Sequence, residues 1–578
     1  MIPLRMLDGR GVMLLTNRLG KKGNIQKWIV TLCFFVICIG TQQMQTQKWD
    51  SGRIELFRDL LGCLMPIIIF TNYKWRDIKK YKAPYIMWGA LGFVSGVVLT
   101  PWLIRQRDSF LLADTIVIVL SVYLLGFCLI YTCIRFFIEK YRPMFFLPLF
   151  GIWLVMMVWM VFSKSDYLWP ECYLVLFLCY YMTEQTADQR RNVLKGTVSG
   201  IVLAYMVIQA HALWCRPYDR PRYFGNFCNP NHNCMFLCIC LAAIFGNILL
   251  VAKERKKLWQ VFYFLLACTC YSFIFMTGCR SGYLTTFVMT ICFLISYCKL
   301  KAKWIFIRTG LLLVVLFLAM MPMTYYAVRY IPTIRPHVVF YFQEGYSEER
   351  VHSWDDRESD KFVSFEEMMQ SVLGRFSNLQ SAYDNLFGGV KTPEIVSEDY
   401  KLASNVEMIP ISILTAVNTS GLESTEDVLL AEDPDKIPAL EYPDAHNALL
   451  VRYTIYNWYW THLSLRGMPY NEQGFQLTAD HWIQDTHNIY LDYGINFGWP
   501  AMVLFTIFIW WGIGRLAWKG LKTGEVEKFV ALLFVIVPPV FGMFEFAWGA
   551  GTISTAVFYL CFKEIICTGW RKEELIES

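Results

Sequence analysis

Charged residues are scarce in this chain. Of its 578 residues, 17% are Asp, Glu, Lys or Arg, whereas 56% are apolar, and the mean hydropathy is positive. A soluble domain needs a polar surface that this composition does not supply. The apolar residues form continuous runs near the ~20 residues needed to cross a hydrocarbon core, without the alternation of a membrane barrel. The sequence therefore predicts an all-α polytopic membrane protein.

Several sequence signatures are also missing. The chain has no Walker or Rossmann phosphate loop and no HExxH motif, which argues against ATP-driven pumps and zinc proteases. Its first ~20 residues contain no cleavable signal pattern. Most of the 19 cysteines lie inside apolar runs, where they behave as small hydrophobes. Cys215 and Cys228 have a spacing that leaves a disulfide between them open. Neither a metal ion nor another cofactor is expected.

About fourteen apolar runs are predicted to span the membrane. The predicted spans are 27–45, 54–72, 83–104, 110–133, 144–163, 168–184, 193–214, 232–252, 258–276, 280–299, 304–323, 489–514, 526–544 and 551–568. Clusters of Lys and Arg fall in alternate loops, as the positive-inside rule requires, so both termini are predicted to be cytoplasmic.

One loop is far longer than the others and is acidic, as expected of a solvated domain. The chain then divides into an N-terminal membrane domain (1–323), an extracytoplasmic loop domain (324–488) and a C-terminal membrane domain (489–578). Within the loop, the segment that begins at Phe365 has apolar residues at helical spacing, which predicts a helix.

Three polar motifs lie at the predicted outer ends of spans. Arg220–Asn231 precedes the eighth predicted span, Thr277–Gly282 joins the ninth and tenth, and His487–Leu491 opens the twelfth. Arginines above a helix start can bind phosphate oxygens, and a histidine can accept a proton near working pH. Simpler structural roles also fit these residues: helix capping by asparagine, interfacial arginines that reach towards water, and an ordinary surface histidine.

The order of these motifs resembles the O-antigen ligase/polymerase superfamily, which includes O-antigen ligases, polysaccharide polymerases and protein O-oligosaccharyltransferases. The matching positions are Arg222, Gly225, Asn229, Pro230 and Asn231; Thr277, Gly278, Arg280 and Ser281; Arg452 and Gly474; and His487, Asn488, Tyr490, Leu491, Gly494 and Gly498. The likeness covers residues 200–515. Cys279 stands where the family often has serine, and the long loop is longer than usual.

The resemblance implies a metal-independent glycosyltransferase of the bacterial cytoplasmic (inner) membrane. Its donor would be a glycan on a polyprenyl diphosphate, with Arg222 and Arg280 stabilising the leaving diphosphate and His487 taking a proton from the acceptor hydroxyl. Substrate contacts are expected from Arg220, Asn229, Asn231, Arg452, Asn488 and Tyr490.

The identity of the acceptor stays open. Ligases and polymerases attack the same kind of donor, and the acceptor is a glycan, a lipid or a protein, with no role for nucleic acid. The alternative function is a transporter or flippase of lipid-linked saccharides. Transporters often carry charges at the membrane midplane, whereas the candidate residues here cluster at one predicted surface.

Overall fold

The computed structural model shows a mostly helical chain. The residues described are 25–40, 62–105, 109–165, 169–215, 218, 222–227, 229–254, 256–301, 305–332, 338–341, 347–350, 363–375, 448–469, 472–478, 481–483, 486–545 and 553–572. Seven of the described helices are long and apolar enough to cross a membrane. These are Val119–Ile138, Ala187–Trp214, Pro230–Lys253, Lys257–Met276, Arg280–Lys301, Phe306–Tyr330 and Trp499–Thr523, and two shorter apolar helices are Ile25–Gly40 and Leu147–Val161.

The helices and strands follow the chain in this order. The first part contains α1 (Ile25–Gly40), α2 (62–70), α3 (Trp75–Lys80), α4 (Lys82–Arg105), α5 (Ser109–Cys133) with a π-helical extension (Ile134–Ile138), β1 (Tyr141–Phe145), α6 (Leu147–Val161), α7 (Trp169–Met182) and α8 (Ala187–Cys215). The second part contains α9 (Pro230–Lys253), α10 (Lys257–Met276), α11 (Arg280–Lys301), α12 (Phe306–Tyr330), β2 (Val338–Tyr341), β3 (Ser347–Arg350) and α13 (365–375). The last part contains α14 (Ala448–Thr461), β4 (Phe475–Thr478), β5 (His481–Ile483), α15 (Ile489–Phe497), α16 (Trp499–Thr523), α17 (Val526–Phe541), α18 (Ile553–Ile566) and β6 (Cys567–Lys572).

Each described sheet is a two-stranded antiparallel pair. β1 pairs with β6, with Tyr141 opposite Lys572, while β2 pairs with β3 and β4 pairs with β5. The β1–β6 pair brings together segments that flank α6 and α18, so it ties the early helices to the end of the chain.

The chain divides into two compact units. The larger comprises Met1–Arg375, Tyr456–Gln473 and Asp485–Ser578, and the smaller comprises Phe376–Ile455 and Gly474–Gln484. Helices from both predicted membrane domains therefore belong to one unit.

The core of the larger unit centres on α9 and α17. α9 packs against α8, α10, α11 and α17, and α17 also packs against α16 and α18. Most residues of these two helices are buried, which is typical of helices that are apolar on all sides. α9 and α11 approach very closely, because a Cβ on Gly282 would lie 2.0 Å from Cys234 Sγ. Small residues at such crossings are typical of membrane helix packing.

Two helices differ in extent from the predicted spans. The predicted span 489–514 is broken into α15 and α16 at Gly498, whose φ of 92° and contact with the Leu465 carbonyl suit glycine alone. A continuous apolar run concealed this break, because hydropathy does not report backbone direction. α12 is also longer than the predicted span 304–323, since it continues to Tyr330. The predicted helix at Phe365 is confirmed as α13.

The helix bundle has two ends, which differ in the helix termini that they contain. The motif end is where α9, α11 and α15 begin, near Asn229, Arg280 and Asn488. The basic end is where α9 ends and α10 and α17 begin, near Glu254 and Glu527. The three polar motifs meet at the motif end.

Candidate functional site

Arg222 lies in the loop before α9 and is fixed by two neutral partners. Its Nε donates to the Thr277 carbonyl over 2.7 Å, and one of its terminal amino groups donates to Asn231 Oδ1. Thr277 belongs to the turn between α10 and α11, which passes through Gly278 at a φ of 62°. A Cβ on Gly278 would lie 3.4 Å from Arg222 Cγ. The first two polar motifs are therefore joined through Arg222.

Glu545 connects the first motif to the third. Asn231 Nδ2 donates to Glu545 Oε1 over 2.9 Å, and Glu545 Oε2 lies 3.6 Å from His487 Nδ1. The carboxylate is only 6% exposed, so these partners do much to compensate for its burial. Arg222, Asn231, Glu545 and His487 form one network, which we call the Arg–His network. Its members come from three loops that are distant in sequence.

His487 has an unusual backbone conformation. Its φ is 49°, in the left-handed region that non-glycine residues adopt only occasionally and often at functional sites. The Tyr456 hydroxyl donates to the His487 carbonyl over 3.1 Å, which helps to hold this conformation. The imidazole is half-buried, and its Nδ1 faces Glu545.

Two of the predicted substrate contacts, Asn488 and Asn229, cap the starts of helices, and a third, Tyr490, contacts α17. Asn488 Oδ1 accepts from the backbone N–H groups of Tyr490 and Leu491, and its Nδ2 donates to the Met543 carbonyl over 2.9 Å. The Tyr490 hydroxyl donates to the Pro539 carbonyl over 3.2 Å. Asn229 Oδ1 accepts from the Asn231 N–H and caps α9. These side chains position the loops that carry Arg222 and His487.

The remaining predicted residues differ in their placement. Arg280 is half-buried and opens α11, two residues after the glycine that contacts Arg222. Arg452 lies on α14, in the smaller compact unit. Arg220 and Cys228 fall outside the described residues, and so does the question of the Cys215–Cys228 disulfide.

Arg375 is a further cation near Arg222 that the sequence analysis did not select. Arg222 lies in a loop where burial lowers the pKa of its guanidinium, and the positive charge of Arg375 lowers it further. Arg375 is the last described residue of α13 and is half-buried. Like charges at close range raise the local potential, which favours binding of an anion.

A short sequence signal marks the start of the helix that carries Arg375. Ser364 and Glu367 form a reciprocal capping box, with the Ser364 N–H donating to the Glu367 carboxylate over 2.6 Å and the Glu367 N–H donating to Ser364 Oγ. Val363, just before the box, accepts from the Tyr325 hydroxyl and donates to the Tyr218 carbonyl. The Ser-x-x-Glu spacing marks the start of this helix in the sequence. It does not indicate that the helix ends near Arg222.

The sequence analysis also did not select Glu545, because the residues around it form no recognisable motif. It is a single acidic residue after the predicted span 526–544, without any motif spacing. The hydrogen bond that the Cys279 thiol donates to Cys234 is the largest of the effects that raise the pKa of this thiol well above its usual range; burial and the negative charge of Glu545 act in the same direction. Cys279 therefore stays protonated and is a poor nucleophile.

The arrangement joins the Arg222 guanidinium to a candidate base, His487, in one network. Arg222 uses two of its five N–H donors in the contacts above. Glu545 faces one imidazole nitrogen of His487, which leaves the other nitrogen to exchange a proton. Within the described residues, no group of three or more His, Cys, Asp and Glu side chains could hold a metal ion.

Searches of protein-family models, curated proteins and solved structures return no match for this chain.

Proposed function

We propose that this chain is a membrane glycosyltransferase that moves a glycan from a polyprenyl-diphosphate carrier to an acceptor hydroxyl. The proposal is carried by one observation: Arg222 and His487 belong to the same network, through Asn231 and Glu545. An enzyme of this class needs cations at the leaving diphosphate and a base at the acceptor. The order of the three motifs, which resembles the O-antigen ligase/polymerase superfamily, supports the same class.

The proposed reaction is a single displacement. The acceptor oxygen attacks the anomeric carbon and forms the new glycosidic bond, while the bond from that carbon to the diphosphate oxygen breaks. The acceptor proton passes to His487, and Glu545 stabilises the resulting imidazolium through Nδ1. The polyprenyl diphosphate leaves with the bonding electron pair. The product therefore has an inverted anomeric centre.

The arginines at the motif end stabilise the leaving diphosphate in this step. Arg222 is held by neutral acceptors, so its positive charge is available to the leaving diphosphate. Arg280 and Arg375 would share that negative charge from α11 and α13. Arg222, Arg280 and His487 are the residues assigned to catalysis, and Glu545 acts by orienting and stabilising the histidine.

The proposal includes a membrane topology. We place about fourteen spans in a bacterial cytoplasmic membrane, with both termini in the cytoplasm and the long acidic loop outside. The clustering of ion-paired Lys and Arg at the basic end, opposite the motif end, supports this orientation. The acceptor is a glycan, a lipid or a protein.

The test is an assay of the purified full-length protein with a radiolabelled polyprenyl-diphosphate oligosaccharide and a mixture of candidate acceptors. We expect a new covalent glycan product and release of polyprenyl diphosphate. The same protein in sealed vesicles would reveal a flippase, because a flippase changes the side on which the lipid is found without making a product. Translocation with no covalent product would reject the enzyme in favour of the transporter.

A further inference from the structure

A cavity lies at the basic end, on the opposite side of the bundle from the Arg–His network. Its volume is about 1010 Å³, and its walls come from α1, α8, α9 and α10. The walls are mainly apolar, with Val202, Met206 and Phe262 among them. Leu258 and Val261 at its edge are 83% and 57% exposed, which in a membrane-spanning bundle means contact with lipid. The cavity therefore has the surface expected around an acyl chain.

The rim of the cavity is positively charged. Lys27, Lys195 and Lys256 line it together with one acidic residue, Glu254. Glu254 lies 2.5 Å from Lys195 Nζ and 2.9 Å from Lys256 Nζ. The hydrogen bond from Lys195 lowers the pKa of Glu254 to about 2, so this carboxylate is ionised at neutral pH. Three lysines and one glutamate leave two positive charges in excess at the rim.

A polar side chain lies inside the apolar part of the cavity. Asn247 lines it and is 6% exposed, and its Nδ2 finds no hydrogen-bond acceptor among the described residues. Asn247 is seven residues before Glu254 on the same helix, about 10 Å deeper along the helix axis. A buried amide without an acceptor is costly, and a turn about its broad χ2 torsion would present Nδ2 to an oxygen in the cavity.

We propose that this cavity binds one anionic glycerophospholipid, with its phosphate at Lys27, Lys195 and Lys256 and an ester carbonyl accepting from Asn247. The excess of positive charge selects an anionic headgroup over a zwitterionic one. Asn247 selects a lipid that has an ester carbonyl below its phosphate. Polyprenyl phosphates lack such an acceptor, so the site is distinct from a donor site. The inference does not depend on the proposed glycosyltransferase activity.

Native mass spectrometry of the purified full-length protein tests the lipid class directly. Ester-linked phosphatidylglycerol, its ether-linked analogue, phosphatidylcholine and undecaprenyl phosphate are titrated separately against delipidated protein. We expect one tight equivalent of ester-linked phosphatidylglycerol, with weaker binding of the other three. Equal binding of phosphatidylcholine would overturn the charge argument, and tighter binding of undecaprenyl phosphate would overturn the choice of a glycerophospholipid. These comparisons need no variant.

Two variants locate the site. Lys27→Gln/Lys256→Gln keeps the Lys195–Glu254 pair and should weaken phosphatidylglycerol binding about 25-fold, from about fivefold for each lysine near a lipid surface. Asn247→Leu should weaken the ester-linked lipid about fivefold and leave the ether-linked lipid unchanged. The matched control is Lys528→Gln, at the same end but outside the cavity, which should bind like the wild type. Wild-type affinity in the double variant, with size-exclusion profiles equal to the control, would place the lipid elsewhere.

Discussion

The two ends of the helix bundle handle charge in opposite ways. At the basic end, Glu254 lies within 4 Å of three cations, Lys195, Lys256 and Arg191, so a single carboxylate offsets part of their positive charge. At the motif end, Arg222 is bonded to a carbonyl and an amide, and Glu545 is engaged with Asn231 and His487.

Under the proposed function, this difference separates a structural role from a chemical one. An ion pair between a carboxylate and partly exposed cations contributes modestly to stability. A cation held by neutral acceptors keeps its charge for an anion that arrives later, which is the requirement for stabilising a leaving group. Paired substitutions at the two ends of the bundle test this contrast.

The largest effect is expected from His487→Ala. Loss of the proposed base should lower glycan transfer about 1000-fold, within the usual range for a general base. The rate is measured with purified protein and a lipid-linked oligosaccharide donor. His462→Ala is the matched control, because His462 is exposed and hydrogen-bonded to the Trp458 carbonyl instead. Transfer at the wild-type rate by the His487 variant would eliminate the proposed mechanism.

A glutamate at each end provides the second comparison. Glu545→Gln keeps an acceptor for Asn231 but removes the negative charge beside His487, so kcat should fall about 10- to 100-fold. Glu254→Gln removes a carboxylate at the basic end and should change kcat less than about twofold. Equal losses in the two variants would show that the ends do not differ in function.

A glycine at each end gives the third comparison. Gly278 and Gly524 have φ values of 62° and 67°, so alanine costs about 1 kcal/mol at either position. Relief of that strain at Gly278 would rotate the peptide that carries the Thr277 carbonyl, which holds Arg222. Transfer should fall about fivefold in Gly278→Ala and stay unchanged in Gly524→Ala, where a Cβ would meet nothing within 4 Å. A similar loss in both variants would point to general destabilisation.

The smallest effect concerns stability. Glu254→Gln should lower the Tm of the detergent-solubilised protein by about 2 °C at pH 7, as expected for a partly exposed ion pair. Because the pKa of Glu254 falls from 4.5 to about 2 on folding, this stabilisation is complete above pH 4.5 and is lost as the pH falls towards 2. The Tm difference should therefore shrink by more than half at pH 3. A difference that is constant with pH would assign the effect to packing.

The sequence predicts the helical membrane class and the elements that carry the Arg–His network, but not how the network is joined. Motifs in alternate loops had to lie at the same end, which is why Arg222, Asn231 and His487 could be selected together. Glu545 could not, because a lone acidic residue after an apolar run carries no spacing signal. Tertiary contacts alone bring it to His487.

The sequence also left the roles of several selected residues open. Asn229 and Asn488 were candidates for substrate contact as well as helix capping, and their side-chain oxygens cap α9 and α15. Arg375 lies in a predicted helix, but nothing in the order of residues relates it to Arg222. The break at Gly498 was hidden because apolar residues continue on both sides of it.

The end of α17 determines when the Arg–His network can form. Pro539 and Met543 supply carbonyls that hold Tyr490 and Asn488, and Glu545 follows within the same turn. All three follow His487 in the chain, so the proposed base is not held in place until this later segment has been made. A chain that stops before this segment would lack Glu545 and both carbonyls, and the proposed base would then lose the contacts that position it and its neighbours.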